Sequence, residues 1–272
     1  IELQKIWKNR ASKVLTIGYF VILSFIALIA SIKFDIGIFK FHLAEMGIFN
    51  FPYIWHFNTY IASFLKIFLA VIIVSMMANE YSYGTLKQNL IDGMSKKELI
   101  LSKFLTIVLF AGISTLFVFV MSLFLGYGFS SYTEIGIVFS DLEYLLAYFV
   151  KLLGFFSFCL FLGVLIKRSA FSLGFLFIWF LFEKITYGIF KFEIFNKSPK
   201  VDDVYAFMPL ESMSNLLVEP FTRLSSVKNL QEAVGENSIK DYDVHLSSVL
   251  IVLVWIAIFV YSSYIIIKKR DL

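Results

Sequence analysis

Six long apolar runs frame the chain, at about residues 14–32, 57–78, 99–125, 143–166, 170–190 and 246–267. Each reaches or approaches the roughly 20 residues that a helix needs to cross a hydrocarbon core. The pattern predicts an all-α integral membrane protein with six transmembrane helices, organised as one domain. Ahead of the first run, residues 1–13 set Lys5, Lys8, Arg10 and Lys13 around Leu3, Ile6 and Trp7, the make-up of an amphipathic helix lying in the membrane interface. The first run is too long for the apolar part of a secretory signal and lacks a small-x-small cleavage site, so it reads as a retained anchor. Residues 33–56 read as a loop with interfacial aromatics, and 126–141 as a short loop without Lys or Arg. The stretch 191–245 is the only extended polar region, with an amphipathic piece at 210–218.

Between the second and third runs lies a polar island, residues 79–98. Gly84 is a natural break, and Thr85 with Gln88 has the spacing of a capping box, as has Ser95 with Glu98. Asp92-Gly93 supplies a stop, because glycine enters the left-handed conformation cheaply. The expectation is a capped helix from Leu86 to Asp92 that exposes Leu86 and Leu90 on one face, followed by the start of the third span.

Composition makes the membrane reading firm. Hydrophobic residues are 59% of the chain and charged residues only 16%, where globular domains carry about a quarter. A mean hydropathy of +0.82 leaves more apolar surface than a soluble fold of this length can hide. The net charge of +4 does not point to nucleic acid, because the basic residues cluster at the ends of apolar runs. Lysine and arginine favour the cytoplasmic side. That rule places both termini, the island with Lys87, Lys96, Lys97 and Lys103, and the Lys167-Arg168 turn in the cytoplasm. Lys33, Lys40 and the region 191–245 then face outside. Cys159, the single cysteine, reads as a small buried hydrophobe.

No catalytic pattern is present: there is no phosphate loop, no His-Glu-x-x-His and no Gly-x-Ser-x-Gly. His42, His56 and His245 lack the spacing of metal ligands and read as interfacial or solvated. The chain is therefore expected to be neither an enzyme nor a metalloprotein. Within the spans, Lys66, Lys151, Glu183 and Lys184 come to similar heights at about 1.5 Å per residue. Two readings stand. In one, Glu183 pairs with Lys66 or Lys151 in a polar layer along a path; in the other, the lysines snorkel to the headgroups and Glu183 neutralises Lys184. Small-residue pairs at Ser122/Gly126 and Ala170/Gly174 read as ordinary packing. A secondary transporter is disfavoured, because the spans show no paired broken helices.

The island carries a resemblance. Glu80-Tyr81-Ser82-Tyr83-Gly84-Thr85-Leu86-Lys87, then Gly93-Met94-Ser95-Lys96-Lys97-Glu98 and Ser102-Lys103, resembles the signature of ABC-2 type permeases, the membrane subunits of ATP-binding-cassette exporters. The six-span plan resembles that family along essentially the whole chain. The resemblance implies that Glu80, Tyr83, Gly84, Thr85, Leu86, Lys87, Leu90, Lys96 and Lys97 couple the chain to a separate nucleotide-binding subunit, which would hold the ATP and magnesium; this chain would hold no cofactor. It also implies a second permease copy, as homodimer or heterodimer, a location in an inner or plasma membrane, and short outer helices near Pro209 that dip back toward the membrane. Glu80 would pair with a basic neighbour such as Arg10. A non-transporting sensor or immunity module driven by the same kind of ATPase is the alternative. The substrate is not legible.

Overall fold

The computed structural model describes residues 2–32, 34–36, 39–41, 46–194, 198, 200–224, 227 and 240–270, and of 34–36 and 39–41 the backbone alone. Lys33 and His42 lie outside the described residues, as does most of 225–239. Among the described residues the regular structure is helical, apart from a short antiparallel ribbon of β1 (Phe34–Ile36) and β2 (Phe39–Phe41) in register Asp35 to Lys40.

Helix α1 (Glu2–Lys8) ends at Asn9, whose side chain accepts from the Ser12 N–H at 3.1 Å and so begins α2 (Arg10–Ser31). The expected interfacial segment 1–13 is thus divided at Asn9, and the first apolar helix starts a turn early. Helix α2 turns Tyr19, Leu23 and Ala27 inward and leaves most of its surface exposed. The second apolar run is not one rod. It forms α3 (Tyr53–Phe64) and α4 (Lys66–Ser82), bent by 46° at Leu65. Two residues before the bend the Ser63 hydroxyl donates to the Tyr60 carbonyl at 2.7 Å, and Leu65 N–H bonds to Ala62 rather than a full turn back. Such back-bonding by serine competes with the helix ladder and bends it.

After α5 (Thr85–Ile91) comes α6 (Lys96–Phe129), about 50 Å long at the standard rise and so longer than the hydrocarbon core. A single turn, α7 (Ile135–Val138), precedes α8 (Glu143–Ile166); α9 (Ser169–Ile189) continues into a π-turn, Phe190–Ile194. Two short helices, α10 (Lys200–Tyr205) and α11 (Pro209–Ser214), lead toward the last helix, α12 (Leu246–Lys269). Among the described residues five helices are long and apolar enough to cross a membrane, and the α3–α4 pair makes a sixth when counted as one span.

Helix α8 is the centre, buried along most of its length against α12, α4, α6, α3 and α9. Its Tyr148 hydroxyl meets Tyr19 of α2 at 2.8 Å and Ser114 of α6 at 2.9 Å, satisfying three hydroxyls that would otherwise be stranded in an apolar interior. At one end of the bundle Trp55 donates to the Val138 carbonyl at 2.9 Å, and Asn58 donates to Ser122 at 2.8 Å across α3 and α6. His56 is buried there rather than solvated. It stacks on Tyr144 at 4.3 Å and bonds the Val218 carbonyl at 2.7 Å, so α3 pins the segment after α11 through a ring that packing has enclosed.

Candidate functional site

The polar island closes the opposite end of the bundle. Tyr83 ends α4, Gly84 takes a left-handed φ of +67°, and α5 starts at once. The Thr85–Gln88 capping box is not formed. Thr85 instead donates to Glu80 Oε2 at 2.7 Å and Gln88 donates to Asp92 at 2.9 Å. The helix starts one residue earlier than the box requires, with Gly84 as its N-cap, so Thr85 is already helical and its hydroxyl makes a charge-assisted bond to the ionised carboxylate. The stop is as expected: with Gly93 at φ +99°, its N–H reaches the Leu90 carbonyl at 3.2 Å and the Met94 N–H reaches Asn89 at 3.0 Å, the paired bonds of a Schellman end. The second capping box is complete, with Glu98 accepting from Ser95 N–H at 2.8 Å and Glu98 N–H donating to Ser95 at 3.2 Å.

Glu80 is the junction of this end. Its Oε1 accepts from Lys103 of α6 at 2.7 Å and from Lys5 of α1 at 2.8 Å, while Oε2 accepts from Thr85 and from Asn89 at 3.2 Å. Lys103, wholly enclosed, also donates to Glu2. One carboxylate therefore joins α1, α4, α5 and α6. Its partners are Lys5 and Lys103, not Arg10, which stays exposed because the break at Asn9 turns α1 inward while Arg10 opens α2. Burial works against the charge of Lys5, but its bond to Glu80 and the attraction of Glu2 outweigh that and hold its pKa above the usual lysine value. A second tie gathers the C-terminal end: Arg270 donates to Tyr81 at 2.8 Å and to the Val164 carbonyl at 2.7 Å, and Lys96 donates to the Arg270 carbonyl at 2.9 Å.

The exposed face of α5 is the reverse of the one expected. Leu86 is 2% exposed and belongs to the core, and Leu90 is half-buried beside it. The outward side carries Lys87, Gln88 and Ile91, with Tyr83 just before the helix; Ile91 is 77% and Tyr83 75% exposed. A helix of two turns is not stable alone, so its leucines are needed to hold it to the bundle. Lys97 also points to solvent.

The four charges within the spans line one cavity of about 440 Å³, bounded by α3–α4, α8, α9 and α11. Neither expected pairing occurs. Glu183 accepts from Trp179 at 2.7 Å and from the backbone N–H groups of Leu210 and Glu211 at 3.1 and 3.0 Å, so it caps α11 from a neighbouring helix. Lys184 pairs with Glu211 at 2.7 Å. Lys66 lies over the Phe155 ring at 4.6 Å, and Lys151 is too deeply enclosed to snorkel, reaching only the Ser214 carbonyl at 3.5 Å. The amphipathic piece expected over 210–218 is a shorter helix, α11, packed on α8, α9 and α12.

The family model for ABC-2 family transporter proteins matches residues 3–272. The chain belongs to that family. Among curated proteins none matches it. It is thus a multi-pass membrane protein and a permease component, of a kind that works with ABC ATP-binding subunits and is generally not catalytic itself. In this ABC-2 permease Glu80, Thr85 and Leu86 form one packed group, while Tyr83, Lys87 and Lys97 stand on the surface and Lys96 reaches the end of α12. The sequence reading missed Lys5, Asn89 and Arg270. Lys5 and Arg270 carried a faint signal, as basic residues at opposite ends of the chain on the same expected side. Among the described residues no group of His, Cys, Asp and Glu side chains could hold a metal ion.

Proposed function

We propose that this permease forms half of an ABC exporter, with both termini and α5 in the cytoplasm and its partner ATPase docking on α5. The observation that carries this reading is the Glu80 junction, which ties α5 rigidly to α1, α4 and α6. A push on α5 would move three helices together rather than bend a loop. The docking face is Tyr83, Lys87 and Ile91, with Lys97 beside it: two apolar side chains amid cations, suited to an apolar groove with an acidic rim. Glu80, Gly84, Thr85, Leu86 and Leu90 act behind that face by holding it in place, and Lys96 links it to α12. ATP and magnesium belong to the partner, and a second permease copy completes the path across an inner or plasma membrane.

The test is ATPase stimulation on reconstitution with the cognate ATP-binding subunit. Ile91→Asp leaves the permease folded and lowers stimulation by about tenfold or more, the order expected for an apolar interface anchor. Unchanged stimulation in that variant would sink the docking face. Leu86→Asp is a poor probe, because it places a carboxylate in the core.

A further inference from the structure

The cavity beside Lys66 and Lys151 is not accounted for by coupling. Lys66 enters it just after the bend at Leu65, and Lys151 from the first half of α8. An enclosed ammonium group ordinarily finds a carboxylate or several carbonyl oxygens, because leaving it bare is unfavourable. Among the described residues neither lysine has an ion pair: Lys66 has a ring face and Lys151 one distant carbonyl. Yet the lining holds two carboxylates, and both are engaged elsewhere, Glu183 on the start of α11 and Glu211 on Lys184. Lys151 is near enough to Lys66 to be repelled by it, and the attraction of Glu211, already paired with Lys184, is the smaller of the two. Both ammonium groups therefore face the cavity without an ion-pair partner of their own.

The rest of the cavity says what kind of ligand they suit. Its inner wall is Phe155, and apart from the exposed Lys184–Glu211 pair its rim is apolar, with Phe64 and Ile67 on one side and Phe177 and Phe180 on the other, all exposed on the flank of the spans that lipid would cover. Its volume lies in the range of small-molecule sites. A small hydrated anion would gain nothing from such a rim. A molecule with an acyl chain could enter sideways from the bilayer and leave its chain between the aromatic rings.

We infer that this cavity binds an anionic amphiphile, with its phosphate or carboxylate held between Lys66 and Lys151 and its acyl chain directed outward past Phe64 and Phe180. The geometry concerns binding to this chain alone and does not depend on how an ATPase docks.

The experiment uses the full chain in phosphatidylcholine nanodiscs, without nucleotide or partner, and titrates oleoyl lysophosphatidic acid with native mass spectrometry as the readout. Oleate, the neutral monoolein and inorganic phosphate are titrated in parallel. Lysophosphatidic acid and oleate bind at least about tenfold more tightly than monoolein, the worth of one charge-assisted contact. Lys66→Gln and Lys151→Gln each weaken them by a similar factor, and Lys66→Arg retains binding. Leu176→Trp, which narrows the cavity while keeping both lysines, also weakens binding. Equal binding of monoolein overturns the role of the lysines, and inorganic phosphate binding as tightly as lysophosphatidic acid overturns the role of the apolar rim. Full binding in Leu176→Trp overturns the site itself. Failure here leaves the ATPase stimulation assay unaffected, so the two readings fall separately.

Discussion

Two lysines are enclosed at opposite regions of this permease and are treated in opposite ways. Lys103, fully enclosed at the basic end, has two carboxylates, Glu80 and Glu2. Lys151, 3% exposed between α8 and α11, has a single carbonyl at 3.5 Å. A buried charge with its full complement of partners stiffens what it joins; one without them leaves an attraction unspent. The contrast separates a mechanical joint from a binding site, although both begin as a lysine inside a helix bundle.

The sharpest way to break that contrast is to remove a partner at the joint. Glu80→Ala unties α5 and leaves Lys103 with Glu2 of α1 alone, and is expected to cost about 3 kcal/mol or more, the usual penalty for breaking a buried pair. Thermal or denaturant unfolding in detergent measures it, and a loss below that of an ordinary surface change would refute the junction. Next in size comes the matched pair Lys103→Met and Lys151→Met. The first leaves Glu80 and Glu2 to share Lys5 alone and destabilises by about 2–3 kcal/mol, whereas the second removes a charge that has no ion-pair partner among the described residues and stays within about 1 kcal/mol of the parent, or gains stability. Equal losses would show that the two lysines are not different in kind.

Leu86→Ala sharpens the view of α5. It is expected to cost about 2–3 kcal/mol by leaving a cavity under the helix, while Ile91→Ala, on the outer face, changes stability by under about 0.5 kcal/mol. The smallest effects are those of pH. Lys5 has a raised pKa, so its hold on Glu80 is complete below the ordinary lysine value of 10.5 and is lost only as pH climbs through the higher folded value. At the end of the bundle away from α5, burial of Glu219 is outweighed by Lys240 at 2.9 Å, and its pKa falls below the ordinary 4.5. That contact is present above 4.5 and lost as pH drops through the lower folded value. Amide protection, taken relative to the intrinsic exchange rate at each pH, should therefore stay unchanged in α1 from neutral pH to about pH 10, and fall near residues 240–242 only in acid.

How much of this was legible in the sequence depends on the range of each interaction. The apolar runs, the Lys167–Arg168 turn, the Gly93 stop and the Ser95–Glu98 box rest on hydropathy or on hydrogen bonds within a few residues, and each is present. The bend at Leu65 was missed because it has neither proline nor glycine to announce it. The face of α5 was misread because an apolar pair on a short helix looks the same in sequence whether it is offered to a partner or held to the bundle.

The sequence by itself determined the apolar runs, the short helix of the island with its Gly93 stop, and the family, since all three are written in runs and local motifs. The tertiary structure alone decided that Leu86 turns inward and Ile91 outward, that Glu80 meets Lys5 and Lys103, that Glu183 caps α11, and that Lys66 and Lys151 share a cavity. Each of these outcomes is a contact or a packing choice between separate elements of the bundle. Their energies depend on distance and enclosure, which a pattern along the chain does not specify.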